Sequence, residues 1–302
     1  MFIVAALYKF VKLNDCQSVQ SILKSLCATL EIKGTFILAP EGINGTVAGN
    51  RSAIDRLKAW FDDHEHFQNL VYKESQSEKC PFYRLKIKLK KEIVTLRRSE
   101  INPGERTGQY VNSKDWNKLI ADPEVIVIDT RNAYEVSLGT FKNSFNPQTN
   151  SFIEFPDRVK QHLDPKVHKK IAMFCTGGIR CEKASAYMLS QGFENVYHLK
   201  GGILQYLEEV PHKESLWEGD CFVFDQRVTV NHHREQGNNT LCYGCRNPLT
   251  PENLLSIDYE EGVSCSYCIH NTSEKRKKDF RERQKQIHLA AAKGQKHIGA
   301  SR

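Results

Sequence analysis

Residues 174–184 read FCTGGIRCEKA, in which Cys175 closes an apolar run and is followed by Thr176, a glycine pair, Ile179, Arg180 and a second thiol, Cys181. A cysteine becomes a nucleophile when backbone N–H groups, a helix N-terminus or a cation stabilise its thiolate. All three are on offer here. The pair Gly177–Gly178 permits a loop whose N–H groups turn inward around the sulfur, the helix expected from about Arg180 presents its positive end, and Arg180 adds a full charge. The spacing therefore predicts a reactive Cys175 thiolate in an anion cradle of Thr176, Gly177, Gly178, Ile179 and Arg180, with Cys181 nearby as a second thiol. A cysteine that merely packs beside a strand-to-helix turn would require neither the glycines nor the arginine.

A second constellation lies further on. Cys242-x2-Cys245, nineteen intervening residues and Cys265-x2-Cys268 form the spacing of a four-thiolate zinc site, each pair on a short turn so that both sulfurs reach one metal. A structural zinc is expected there, against the alternatives of reduced cysteines without metal or two disulfides. His232 and His233, in the polar stretch NHHREQGNN, are read as solvated rather than ligating.

The third feature is charge. Residues 273–302 hold ten Lys/Arg against three Asp/Glu, which equals the net +7 of the whole chain, so the remainder is neutral. In YRLKIKLKK, Leu85, Ile87 and Leu89 alternate with Arg84, Lys86, Lys88 and Lys90, placing four cations on one face of a half-buried strand. Such a face can track phosphates or can protect a sheet edge from aggregation. With the basic tail, including Lys275, Arg276, Lys277 and Lys278, the balance favours a nucleic-acid surface.

The elements that must position these groups follow from hydrophobic periodicity. Strands at 2–10, 34–39, 42–49, about 70–75 and 83–90, with helical patterns over 16–30 and 52–64, predict a ferredoxin-like (acylphosphatase-like) α+β domain over 1–98. Ser52 is the candidate cap of the second helix. Pro, Gly and mixed charge mark a linker at 99–110. From 111 to 215 the alternation of VIVIDTR, IEFPDRVKQHL, IAMFC and NVYHLKGGI predicts an α/β domain with a parallel sheet, Cys175 at a strand end. A cysteine-rich zinc region, 216–272, and a basic tail, 273–302, complete the chain.

Bulk properties narrow the class. With 302 residues and 40% hydrophobic content the chain can build two or three cores. It shows no membrane span, and MFIVAALYKF lacks the basic start and cleavage site of a signal peptide, so a cytoplasmic protein without membrane partners is expected. In that setting ten cysteines point to metal or catalysis rather than to a disulfide framework.

Asp129-Thr-Arg131 with Glu135 and Gly139 downstream, the Cys175–Arg180 loop, and Leu199-Lys-Gly-Gly202 together resemble the rhodanese domain, over about residues 110–215. Its C-x4-R loop is one residue shorter than the C-x5-R loop of the related phosphatases, which widens to hold phosphate. Taken with the N-terminal domain and the cysteine-rich region, nearly the full chain resembles the rhodanese-type tRNA uridine hydroxylases (TrhO). That resemblance implies oxygen-dependent formation of 5-hydroxyuridine at the wobble position of tRNA. It also implies Cys175, Arg180 and Cys181 as the catalytic group, Asp129, Arg131 and Glu135 as support, tRNA as partner and molecular oxygen as co-substrate. The sequence shows no G-x-G-x-x-G fingerprint and no facial triad, and it names no reductant. Cys175 can act by adding to C6 of uracil or by carrying a persulfide. Two other functions compete: a persulfide sulfurtransferase acting on tRNA, a protein or small acceptors, and a non-catalytic zinc-containing RNA-binding protein, against which the intact cysteine and arginine count.

Overall fold

In FIVAALYKF, Ile3, Ala5 and Leu7 alternate with residues of the opposite face, and this period of two makes β1 (Phe2–Phe10) one-sidedly apolar. The face carrying them packs under α1 (Cys16–Thr29) and α2 (Arg51–Asp63) through Leu23, Leu57 and Phe61. Asp15 caps α1 by accepting from the N–H groups of Gln17 and Ser18. For α2 the expected cap, Ser52, is instead a helical residue: the chain enters two residues earlier, and the Asn50 side chain accepts from Ala53 N–H. With β2 (Lys33–Ala39), β3 (Gly42–Gly49) and β4 (Tyr72–Ser77) the order is β4-β1-β3-β2, the ferredoxin-like split unit, and β5 (Leu85–Leu89) adds a fifth strand parallel to β2 at the edge.

The computed structural model describes residues 1–295. No helix or strand lies between Leu89 and Gln109. Beyond this segment come β6 (Gln109–Val111), α3 (Ser113–Ile120), β7 (Val125–Asp129), α4 (Ala133–Val136), β8 (Gly139–Phe141), α5 (Phe155–His162), β9 (Lys170–Phe174), α6 (Ile179–Ser190), β10 (Asn195–Leu199) and α7 (Gly202–Glu209). The sheet is parallel throughout, in the order β6-β10-β9-β7. Helices cover both faces, α5 and α6 on one and α3 and α7 on the other, which is why Ile171–Phe174 of the central strand β9 is an unbroken apolar run. β11 (Trp217–Gly219) pairs with β8, and the Trp217 ring packs edge-on against Phe141 at 5.3 Å. This core therefore continues past the boundary expected at 215, because Trp217, Cys221 and Val223 have nowhere else to bury.

Two compact units result: Met1–Val223 with Val230–Glu235, and Phe224–Thr229 with the residues from Gln236 on. In the second unit Thr240–Leu241 pairs with Pro248–Leu249, and α8 (Glu274–Ala292) starts at a Ser273 cap. Arg283 on α8 donates to the carbonyls of Tyr243 and Gly262, tying the helix to both cysteine-bearing turns. Residues 296–302 of the basic tail lie outside the described residues. Among the described residues no helix is long and apolar enough to cross a membrane.

Candidate active site

Cys175 follows the last residue of β9, and its side chain is fully buried. The loop turns at Gly178, whose φ of +102° suits glycine, and Gly178 N–H donates to the Cys175 sulfur at 3.1 Å. Ile179 is the first residue of α6 and Arg180 the second. From below, Ile203 and Leu204 at the start of α7 donate to the carbonyls of Cys175 and Thr176. Gly202 fits here because a Cβ would stand 2.5 Å from the Cys175 carbonyl oxygen.

Burial alone would keep Cys175 a thiol. Against it act the Cys181 thiol, the charge of Arg180 and the N–H groups of Cys181 and Gly178, and together they bring it down to about 6. Cys181 goes the other way, raised by its own burial and then by the neighbouring Cys175 anion, so it remains the protonated partner. Arg180 is held from behind by a two-pronged ion pair with Glu135, at 2.6 and 2.8 Å, and donates to Thr176 Oγ1 at 3.3 Å. Glu135 is thus more than a support for its own turn: besides accepting from Asn132 N–H, it fixes the arginine of the cradle.

Residues 2–93 match the UPF0176 acylphosphatase-like domain, and residues 113–209 match the rhodanese-like domain. The chain thus carries a UPF0176 acylphosphatase-like domain followed by a rhodanese-like domain. Among solved structures, a rhodanese-like domain from Anabaena sp. is 19% identical over 38% of this chain and 80% of its own (TM-score 0.30). A rhodanese-related protein from Thermoplasma volcanium is 27% identical over 33% of this chain and 92% of its own (TM-score 0.26). A protein of unknown function from Rhodopseudomonas palustris is 20% identical over 38% and 92% (TM-score 0.29).

Within the rhodanese domain the D-x-R motif is a buried clamp. Arg131 pairs with Asp129 at 2.6 Å, donates to the Gly139 carbonyl and lies over the Trp217 ring, while Thr140 donates to Asp129. These groups close the 129–140 turn that presents Glu135 to Arg180.

The rhodanese loop also meets the N-terminal domain, at residues that spacing could not single out. Register places Ala6 of β1 opposite Lys73 of β4, so Lys73 and Tyr8 share the sheet face away from α1 and α2. Lys73 Nζ donates to the Gly177 carbonyl at 2.9 Å. Tyr8 donates to Glu182 at 2.9 Å, as does Tyr110 at 2.8 Å, and the Tyr8 hydroxyl fills the space where a Cβ on Gly178 would be. The next residue, Lys183, is buried between Glu41 at 2.8 Å and Glu92 at 2.6 Å. The available signal was the Glu182-Lys183 pair itself, two charges on a helix whose residues from Arg180 to Met188 are all buried.

In the second unit the sulfurs of Cys242, Cys245, Cys265 and Cys268 all lie within 4.8 Å of one another, with separations of 3.9 Å for Cys242–Cys268, 3.7 Å for Cys245–Cys265 and 3.8 Å for Cys265–Cys268. A tetrahedron with metal–sulfur bonds of about 2.3 Å has edges of about 3.8 Å, so the set fits a four-thiolate metal such as zinc. Separations this long are not disulfides. His232 and His233 are not members of the cluster; they contact His212 by their rings.

The basic residues divide. Arg84, Lys86, Lys88 and Lys90 are exposed along and beside the edge strand β5, and Lys275, Arg276 and Lys278 are exposed on α8. Lys277 departs from the expected phosphate-binding role: it is buried and paired with Glu274 at 2.8 Å, since the helical turn brings residues three apart together.

Proposed function

We propose that the protein is a tRNA-modifying enzyme that converts the wobble uridine to 5-hydroxyuridine at the expense of molecular oxygen, with the Cys175 thiolate activating the base. The observation that carries this reading is a buried sulfur brought down to about 6 and held by Gly178 N–H, within a UPF0176 and rhodanese-like domain pair. Addition of the thiolate to C6 forms a C–S bond and moves the C5=C6 pair toward C5 and O4. C5 then attacks an electrophilic oxygen donor, HO–X, generated from oxygen and a two-electron reductant, and X leaves with the O–X pair. Loss of the C5 proton restores C5=C6 and expels the thiolate. The exposed cations of β5 and α8 support tRNA as the partner.

The short C-x4-R loop also suits a persulfide carried on Cys175, which is the second reading. Nucleoside analysis of tRNA from a deletion strain separates the two. Loss of 5-hydroxyuridine, restored by the wild-type protein and not by Cys175→Ser, is the expected result. Loss of a thiolated base instead would establish sulfur transfer, and no change in any nucleoside would end both.

A further inference from the structure

We propose that Lys73 is a positioning residue of the Cys175 site, supplied by the N-terminal domain, whose ammonium holds the Gly177–Gly178 peptide in the orientation that turns its N–H onto the sulfur. One peptide unit makes both contacts. Its carbonyl accepts from Lys73 Nζ at 2.9 Å, and its N–H donates to Cys175 Sγ at 3.1 Å. In a planar trans peptide C=O and N–H point in opposite directions, so cation, amide and thiolate stand in line. A cation at the oxygen end polarises the amide and strengthens the donor at the other.

Little within the loop enforces that orientation. Rotating the peptide changes ψ of residue 177 and φ of residue 178, and both are glycines. A Cβ on Gly177 would meet nothing within 4 Å, so no wall restrains that side. The flipped peptide would aim its carbonyl at the sulfur and repel the anion. Lys73 itself is well held, since its strand pairs with β1 and its ammonium lies 5.5 Å from the centre of the Tyr8 ring.

The charge environment agrees. The groups acting on Cys175 are Cys181 and Arg180 from α6, with Glu135 behind Arg180, and Tyr8 and Lys73 from the sheet, with Glu182 beyond them. Glu135 already matches Arg180. Lys73 has no carboxylate within ion-pair reach among the described residues; loss of solvent is the largest influence and holds its ammonium below the ordinary lysine value, while Cys175 and Glu182 favour its charge.

The inference rests on Cys175 being the reactive thiolate and not on the identity of its substrate. It is tested on the full chain without tRNA, by the ultraviolet absorbance of the thiolate against pH, taken as the difference from the same variant carrying Cys175→Ser. Lys73→Met should raise the Cys175 midpoint by about one pH unit or more. Lys73→Gln, neutral but still a donor to the carbonyl, should raise it less, and Lys73→Arg should stay close to the wild type. Should the methionine variant not fold, the smaller upward shift in Lys73→Gln is the test. An unmoved midpoint in the neutral variants, or a shift in Lys73→Arg as large as theirs, would overturn the proposal. Failure of uridine hydroxylation would leave this titration intact, and an unmoved titration would leave the tRNA reading intact.

Discussion

Cys175 and Cys181 are two buried thiols driven apart in acidity, and the division follows from which of them receives the donors. Since the deprotonated form reacts, the single-turnover rate should rise with pH through about 6 and then level off. Cys181→Ala, which removes a donor to the thiolate, should move that inflection upward by about one unit, and Cys181→Ser, which retains an O–H, should move it less. Equal profiles in the three proteins would reduce Cys181 to packing. Glu135 answers to a different measurement. Burial raises its pKa, but the ion pair with Arg180 outweighs this and lowers it overall. Its stabilising contribution is therefore present above the unfolded carboxylate range and is lost as pH falls. Glu135→Gln, which leaves Arg180 buried without its counter-charge, should cost about 3–5 kcal/mol near neutrality in urea denaturation. The gap from the wild type should narrow below about pH 4.

At the scale of elements, the two cysteine-bearing turns have a small core of their own, in which Cys242, Leu249, Cys265 and Cys268 are buried and Cys245, Leu254 and Tyr259 pack against them. So little apolar area cannot hold a unit together, and a metal bound by four thiolates contributes folding energy directly. Protein purified without chelator should contain about one zinc per chain. Cys242→Ser or Cys265→Ser should lose that metal together with the thermal transition of this unit. Metal content near zero in the wild type, with all four thiols still titratable, would contradict it.

On the scale of the whole molecule, the first unit joins its two sheets through charges on α6. Lys183 is the keystone, because its removal leaves Glu41 and Glu92, both of the N-terminal domain, without the counter-charge they share across the joint. These carboxylates are partly solvated, so Lys183→Met should cost less than a fully buried pair, about 1–3 kcal/mol. Protease cleavage in the irregular segment between Leu89 and Gln109 should accelerate accordingly. The proposed tRNA partner would meet the β5 cations and the α8 cations as two separate phosphate-binding sets. Neutralising Arg84, Lys86, Lys88 and Lys90 to Gln, or Lys275, Arg276 and Lys278 to Gln, should weaken all tRNAs alike. Each lost phosphate contact should lower the slope of log affinity against log salt by about 0.7–0.9. Lys277→Gln should leave that slope unchanged, since its ammonium is already paired with Glu274.

Everything the chain declares at short range was legible in its sequence. The apolar run before Cys175, the glycines behind it, the D-x-R and L-x-G-G strand ends and the paired C-x2-C turns each determine local geometry through residues a few positions apart. Local signals blur by two residues where two capping residues compete, as Ser52 and Asn50 show. They also mislead where a charge folds back on its own helix, as Lys277 does. Only the tertiary structure decided what faces the Cys175 loop. Lys73 meets Gly177 across 104 positions and Tyr8 meets Glu182 across 174, and on its own strand either residue reads as an ordinary half-exposed polar side chain. Spacing carries no trace of such contacts, because they exist only once two independently patterned sheets bury their charges against each other.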